Sequence, residues 1–246
     1  MIFSSAIRYR TRFLHDENVK LFLRAVADSS ERRCCVLPAN KALWRAQLGH
    51  DLEKRSQDDH EWDEPSPFAA HRMKPLRDQA HEGRVNPRGI PCLYAANIKE
   101  TAVAEIRPWL GALVSVAQLR IVRDLRLVDC SEGHDSKFDI YFEEPAPDER
   151  EKNVWRAIGR AFSNPANPDP AIAEYAPTQV LSEQFRQQGY DGVAYQSKLG
   201  TGFNVALFDL DLVEVVDVRL YPVKAVQYEI GDLENSYVVK HRKGTA

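Results

Sequence analysis

Apolar positions change their period several times along the chain, and each change predicts an element. In "DENVKLFLRAVADSSERR" the residues Val19, Phe22, Leu23 and Val26 recur at i, i+3, i+4 and i+7, the spacing of one helical face. The acidic start and basic end of that segment suit the helix dipole. Two later segments predict helices in the same way. "DEREKNVWRAIGRAF" aligns Trp155, Ile158, Ala161 and Phe162, and "TQVLSEQFRQQG" aligns Val180, Leu181 and Phe185 ahead of a capping Gly189. By contrast, "GALVSVAQLRIVRDLRLVDC", "GVAYQSK", "FNVALFD" and "VEVVDVRLYPVKAVQYEI" are short runs rich in Val, Leu, Ile, Tyr and Phe with partial alternation. They predict β-strands in hairpins or meanders. From His50 to Pro67 the chain is polar, charged and without period, which predicts a long surface loop whose run Asp58, Asp59, Glu61, Asp63 and Glu64 faces solvent. The elements do not follow a strict βαβ alternation, so the pattern favours an α+β fold over a doubly wound sheet.

Composition narrows the class without naming a function. The 246 residues suffice for one large domain or one domain with a small appendage, and 43% hydrophobic with 28% charged residues is ordinary for a globular chain. A formal net charge of -3 supplies no bulk attraction to polyphosphate, so a general nucleic-acid coat is not expected. Cys34, Cys35, Cys92 and Cys130 form neither a C-x-x-C pair nor an even ladder, which argues against a zinc ribbon or a disulfide framework. Arg8, Arg10 and Arg12 interrupt the apolar residues of the first segment, so no secretory h-region and no membrane span is expected, and the cytoplasm is the natural compartment.

Candidate chemistry gathers in "EGRVNPRGIPCLYAANIKETAVAEIRPWLG". "PCLYAA" predicts a strand, with Asn97 as N-cap and Glu100 completing a capping-box-like pair for a helix beginning at Ile98. Glu105 then falls at the border of the apolar face made by Ala102, Val103 and Ile106. It is either directed into a cleft or solvated and paired with Arg107 or Lys99. Arg84 and Arg88 flank Asn86-Pro87 in a loop; guanidinium forks bind phosphate oxygens, and the alternative is a pair of surface arginines. Tyr94 faces the opposite side of its strand from Leu93 and serves either a ligand or the core. Further on, Ser197 ends one strand and Asn204 begins the next, across a loop with Gly200 and Gly202 that makes a tight connection or admits a ligand to the backbone. The spacings of His50, His60, His71 and His81 are too wide for one helical face, and no metal site is expected. P-loop, zincin and α/β-hydrolase motifs are absent.

Three blocks in order, "LWRAQLG", "GRVNPRGIPCLYAANIKETAVAEI" and "YAPTQVLSEQFRQQGYDGVAYQSKLGTGFNVALFD", resemble the RES domain family, the toxin half of many bacterial toxin-antitoxin pairs. The resemblance runs from about Leu43 to about Tyr228. It divides the chain into an N-terminal helical extension, 1–40, a RES domain, 41–230, and a C-terminal tail, 231–246. It implies an ADP-ribosyltransferase-like α+β fold: a mixed or antiparallel sheet core with flanking helices, preceded by the helical extension. It also implies action on NAD+ as substrate, with no resident cofactor, and a small Xre-type helix-turn-helix antitoxin as partner. The family arginines fall on Arg45 and Arg84, its tyrosine on Tyr94, its glutamate on Glu105 and its serine on Ser197, with Asn204 following the glycine loop. The position after Arg45, often aromatic in relatives, is Ala46 here. Arg88 has no counterpart in the resemblance.

The residues suit the chemistry that the resemblance implies. Nicotinamide is already a cationic leaving group, so its bond to ribose breaks without a general acid, through an oxocarbenium-like sugar. Glu105 would stabilise that charge, Arg45 and Arg84 would orient the pyrophosphate, Tyr94 would pack against the nicotinamide or its ribose, and Ser197 with Asn204 would hold the nicotinamide end. Water and phosphate both fit as acceptor. Two other readings stay open: transfer of ADP-ribose to a protein from the same site, and a non-catalytic nucleotide-binding or interaction module.

Overall fold

A computed structural model of the chain describes residues 2–76, 79–131, 146–164, 174–228 and 230. The tail, 231–246, lies outside the described residues. Helices α1 (Ile2–Tyr9) and α2 (Glu17–Ser30) come first, followed by strands β1 (Cys34–Leu37), β2 (Ala42–Leu48), β3 (Asp51–Gln57), β4 (His60–Ser66) and β5 (Leu93–Ala96). Helix α3 (Lys99–Glu105), β6 (Leu113–Ile121), β7 (Leu125–Asp129), α4 (Pro147–Ser163), α5 (Ala176–Gln187), β8 (Gly192–Gln196), β9 (Phe203–Leu207) and β10 (Val213–Pro222) complete the order.

Eight strands form one sheet in the order β1-β7-β8-β9-β5-β2-β6-β10, while β3 and β4 pair only with each other. The large sheet is mixed: β7 and β8 run parallel, and the remaining pairs are antiparallel. The strand segments predicted as meanders are therefore rearranged. β8 and β9 are a hairpin, but β6 and β7, consecutive in the chain, lie in different halves of the sheet.

The helices follow their apolar stripes. Asp16 caps α2, its Oδ1 accepting from the Val19 amide at 2.9 Å, and Val19, Leu23 and Val26 are buried. Phe22 at the edge of that stripe stacks on Phe3 of α1 with ring centroids 4.5 Å apart. In α4 the buried stripe is Trp155, Ile158, Gly159 and Phe162. Ala161, predicted on this face, is exposed, and Gly159 and Ser163 are buried instead. Gly189, with φ +81, terminates α5 in the left-handed region as expected.

The leading segment is more than an appendage. Ala6, Ile7, Val19, Leu23 and Val26 belong to the same core as Phe162, Phe185, Val193 and Ala206, and β1 is an edge strand of the sheet. A second correction concerns 51–66, expected as an aperiodic loop. It forms the β3–β4 hairpin, turning at Asp58 and Asp59 with φ +48 and +66, the paired left-handed geometry of a two-residue hairpin turn. All but the residues at its base are exposed, so no face had to alternate.

Cross-strand pairs join Tyr195 to Asn204, Asn204 to Ala96 and Ala96 to Trp44, and opposed residues share a face of the sheet. Over β7–β9 that face is covered by α1, α2, α4 and α5. Over β2, β5 and β6 it is covered by α3, through Ala46, Ala96, Ala102, Val114 and Val116. The interval between these two covers is where the candidate site lies. On the other face Leu93, Leu119, Val205 and Leu207 pack with Phe68, Met73, Leu210 and Leu212.

Candidate active site

Glu105 is the last residue of α3. The helix stops there because Arg107, at φ +46, leaves the helical path just after the C-cap Ile106, and Pro108 disfavours its continuation. The start of the helix differs from expectation. Ile98 occupies the N-cap without a side-chain bond, and Asn97 instead extends the sheet, exchanging bonds with Phe203 through its amide N–H (3.1 Å) and its Oδ1 (2.8 Å).

The Glu105 carboxylate is held by one oxygen. Its Oε1 accepts from Ser197 Oγ at 2.7 Å and from Asn204 Nδ2 at 2.6 Å. The Ser197 hydroxyl accepts in turn from the amides of Leu199 and Gly200, both at 3.1 Å. A hydroxyl has one proton to give, so those two amides fix the direction in which it donates. Among the described residues Oε2 has no partner, and the solvated pairing of Glu105 with Arg107 or Lys99 is not adopted; the Lys99 ammonium lies over the Tyr221 ring, 4.8 Å from its centroid. The glycine loop is a tight connection: a Cβ on Gly200 would sit 2.6 Å from Thr101 Oγ1, and one on Gly202 2.3 Å from Asn97 Oδ1. This close approach to the α3 entry brings Ser197 and Glu105 together.

The arginine loop is organised by Asn86, which is buried. Its Nδ2 donates to the carbonyls of His81 (2.9 Å), Pro87 (3.2 Å) and Ile90 (2.8 Å), and its Oδ1 accepts from the Tyr94 hydroxyl at 2.6 Å. Tyr94 Oη also accepts from the Val85 amide at 3.0 Å. Burial raises the Tyr94 phenol well above its usual ionisation range, so it stays a neutral brace. A Cβ on Gly83 would lie 2.3 Å from that hydroxyl, which explains a glycine there.

Arg84 leaves this loop and docks on the C-terminus of α4, its Nη1 donating to the Phe162 carbonyl at 2.6 Å and to the Asn164 carbonyl. Carbonyls at a helix C-terminus lack intrahelical partners and carry the negative end of the dipole. Its other N–H groups have no partner among the described residues. Arg45 fills the place where β2 and β5, sharing the single registered pair Trp44 and Ala96, diverge. Its Nη1 donates to the Tyr94 carbonyl at 2.8 Å, and its Nε is buried without a partner among the described residues. Burial pulls Arg45 down to about 10, so it remains a cation at neutral pH. Arg88 is exposed and lies away from the site.

Arg45, Arg84, Tyr94, Glu105 and Asn204 all line one cleft of about 600 Å³, within the range typical of small-molecule sites. Ser197 does not line it. Its place is behind Glu105, as the carboxylate's anchor, while Asn204 lines the cleft itself. An adjoining cavity of about 500 Å³ shares Arg45, Gln47, Arg72 and Tyr94 with the cleft. The lining residues that sequence reasoning missed include Trp44, Arg72, Tyr175 and Tyr195. Tyr195 was within reach, since the β8–β9 hairpin register sets it opposite Asn204. Arg72 was not, because it sits in a 3-10 turn, Ala70–Met73, with no periodic signal around it. Among the described residues no group of three or more His, Cys, Asp or Glu is arranged to hold a metal ion, and no helix is long and apolar enough to cross a membrane.

The chain is thus an α+β protein with a carboxylate and two arginines converging in one cleft. The RES domain family model matches residues 42–229, most of the chain, and the protein belongs to that family. No curated protein matches it. Among solved structures, the crystal structure of the M. tuberculosis MbcT-MbcA toxin-antitoxin complex is similar at 14% sequence identity and a TM-score of 0.39, covering 81% of this chain and 92% of that one.

Proposed function

We propose that the protein cleaves the bond between nicotinamide and ribose in NAD+, passing ADP-ribose to water or inorganic phosphate. The observation that carries this reading is the mode of holding Glu105: Ser197 and Asn204 take Oε1 and leave Oε2 for the cleft. A carboxylate so oriented is preorganised to meet positive charge developing on a ribose, at no cost of reorganisation during the reaction. The N–H groups of Arg84 that have no partner among the described residues and the cation of Arg45 supply the complement to a pyrophosphate. The cleft and the adjoining cavity, about 600 and 500 Å³, together offer room for a dinucleotide. No residue is required as general acid, because the departing nicotinamide carries its own positive charge. The family resemblance supplies the biological setting: a cytoplasmic toxin kept silent by a small Xre-type antitoxin that covers the cleft.

Incubation of the purified protein with NAD+, with and without phosphate, tests the chemistry. Free nicotinamide is expected, together with ADP-ribose or its phosphorylated product. NAD+ left unchanged at high protein concentration under both conditions would overturn the proposal. Labelled ADP-ribose appearing on a protein would replace the small acceptor by a protein one.

A further inference from the structure

Two tyrosines, Tyr190 and Tyr195, are buried in the large helical core and a third, Tyr94, packs half-buried against it, and their hydroxyls are treated differently. Tyr94 donates to Asn86 at 2.6 Å. Tyr190 is within hydrogen-bonding distance of Ser30 Oγ, 3.1 Å, and donates to Glu31 at 3.1 Å. Tyr195, 5% exposed, makes no hydrogen bond among the described residues. Nor is its hydroxyl among the sealed polar atoms without partners, which are Arg8 Nε, Arg45 Nε and Ser163 Oγ. Tyr195 is itself among the residues that line the cleft, and the hydroxyl is its only polar side-chain group.

The ring has a packing role that phenylalanine would fill as well: it lies 6.0 Å from the Phe162 ring, centroid to centroid. A hydroxyl at such a position gains nothing from the protein and loses part of its hydration. Its surroundings say what it would meet. Tyr195 is paired across the hairpin with Asn204, the residue that holds Glu105, and its charged neighbours are Arg84 and Glu105. On these grounds we infer that Tyr195 is a further substrate-contacting residue, whose hydroxyl donates a hydrogen bond to an oxygen of the ribose-pyrophosphate unit lying between the Arg84 guanidinium and the Glu105 carboxylate. The inference rests on the reading of the cleft as an NAD+ site. Burial pushes the ionisation of Tyr195 far upward, so the group is a proton donor at every pH at which the protein is handled.

The test is Tyr195→Phe, read by calorimetric binding of NAD+ and of ADP-ribose, by steady-state nicotinamide release, and by thermal unfolding. Because the hydroxyl has no partner among the described residues, the melting temperature is expected to stay at the wild-type value while affinity for both ligands falls about tenfold, the worth of one net hydrogen bond to a charged or polar ligand. Tyr195→Leu, which also loses the ring, is expected to lower the melting temperature and to bind no better than Tyr195→Phe. Wild-type binding and turnover in Tyr195→Phe would overturn the role of the hydroxyl alone. Absence of NAD+ and ADP-ribose binding by the wild-type protein would overturn the cleft assignment, and this inference with it.

Discussion

Two hairpins among the described residues are built on opposite physical terms. In β8–β9, Val193, Val205, Ala206 and Leu207 are fully buried, and the strands approach so closely that a Cβ on Gly192 would lie 2.3 Å from the Ala206 carbonyl oxygen. In β3–β4 the strands are polar and exposed, held by ladder bonds, the left-handed turn at Asp58 and Asp59, and ion pairs such as Arg55 with Glu64 at 2.9 Å. The buried hairpin fixes the position of chemical groups to within hydrogen-bonding tolerance, and it is the one that delivers Ser197, Asn204 and Tyr195. The exposed hairpin touches the cleft only at its base, where Asp51 pairs with Arg72 at 2.6 Å. Rigidity for chemistry comes here from burial rather than from strand pairing as such.

Substitutions in the two hairpins should therefore differ in kind. Ser197→Ala removes a donor to Glu105 and strands two amides, so an activity loss of about tenfold or more is expected along with a destabilisation of roughly 1–3 kcal/mol. Since Ser197 does not line the cleft, the loss should appear in kcat with KM for NAD+ little changed, and unaltered kcat would break the anchoring role. Arg55→Ala in the exposed hairpin should cost less than about 1 kcal/mol in denaturant unfolding and leave turnover as it was. A large loss of activity there would mean that the hairpin shapes the cleft, and the contrast between the two regions would fail.

The same contrast decides what could be read from the chain. The strands and helices that bury one face announce themselves by period: β6, β8, β9, α2 and α5 were all foreseeable. β3 and β4 were not, because a strand solvated on both faces leaves no alternation, and the Asp58-Asp59 turn lacks the glycine that usually marks such hairpins. Arg45, Arg84, Tyr94, Glu105, Ser197 and Asn204 were identified by resemblance, and five of them line one cleft. Their division of labour was not legible. That Ser197 stands behind Glu105 depends on Gly200 and Gly202 pressing the loop against Thr101 and Asn97, a distance that no spacing encodes. Asn97 looked like a cap by local rules and was taken by the sheet, since Phe203 offered both a donor and an acceptor. The anchoring of Arg84 on α4 joins residues 78 positions apart and has no local signature.

The central claim is that the Glu105 carboxylate, held by Oε1, is the charge that meets the reacting ribose, and the rate of nicotinamide release by Glu105→Gln beside the wild type tests it most directly. Glutamine keeps an oxygen for Ser197 and Asn204 and removes the charge, so the fold and melting temperature should hold. The account predicts that the variant releases nicotinamide at least about a hundredfold more slowly. A folded Glu105→Gln protein working at the wild-type rate would contradict it.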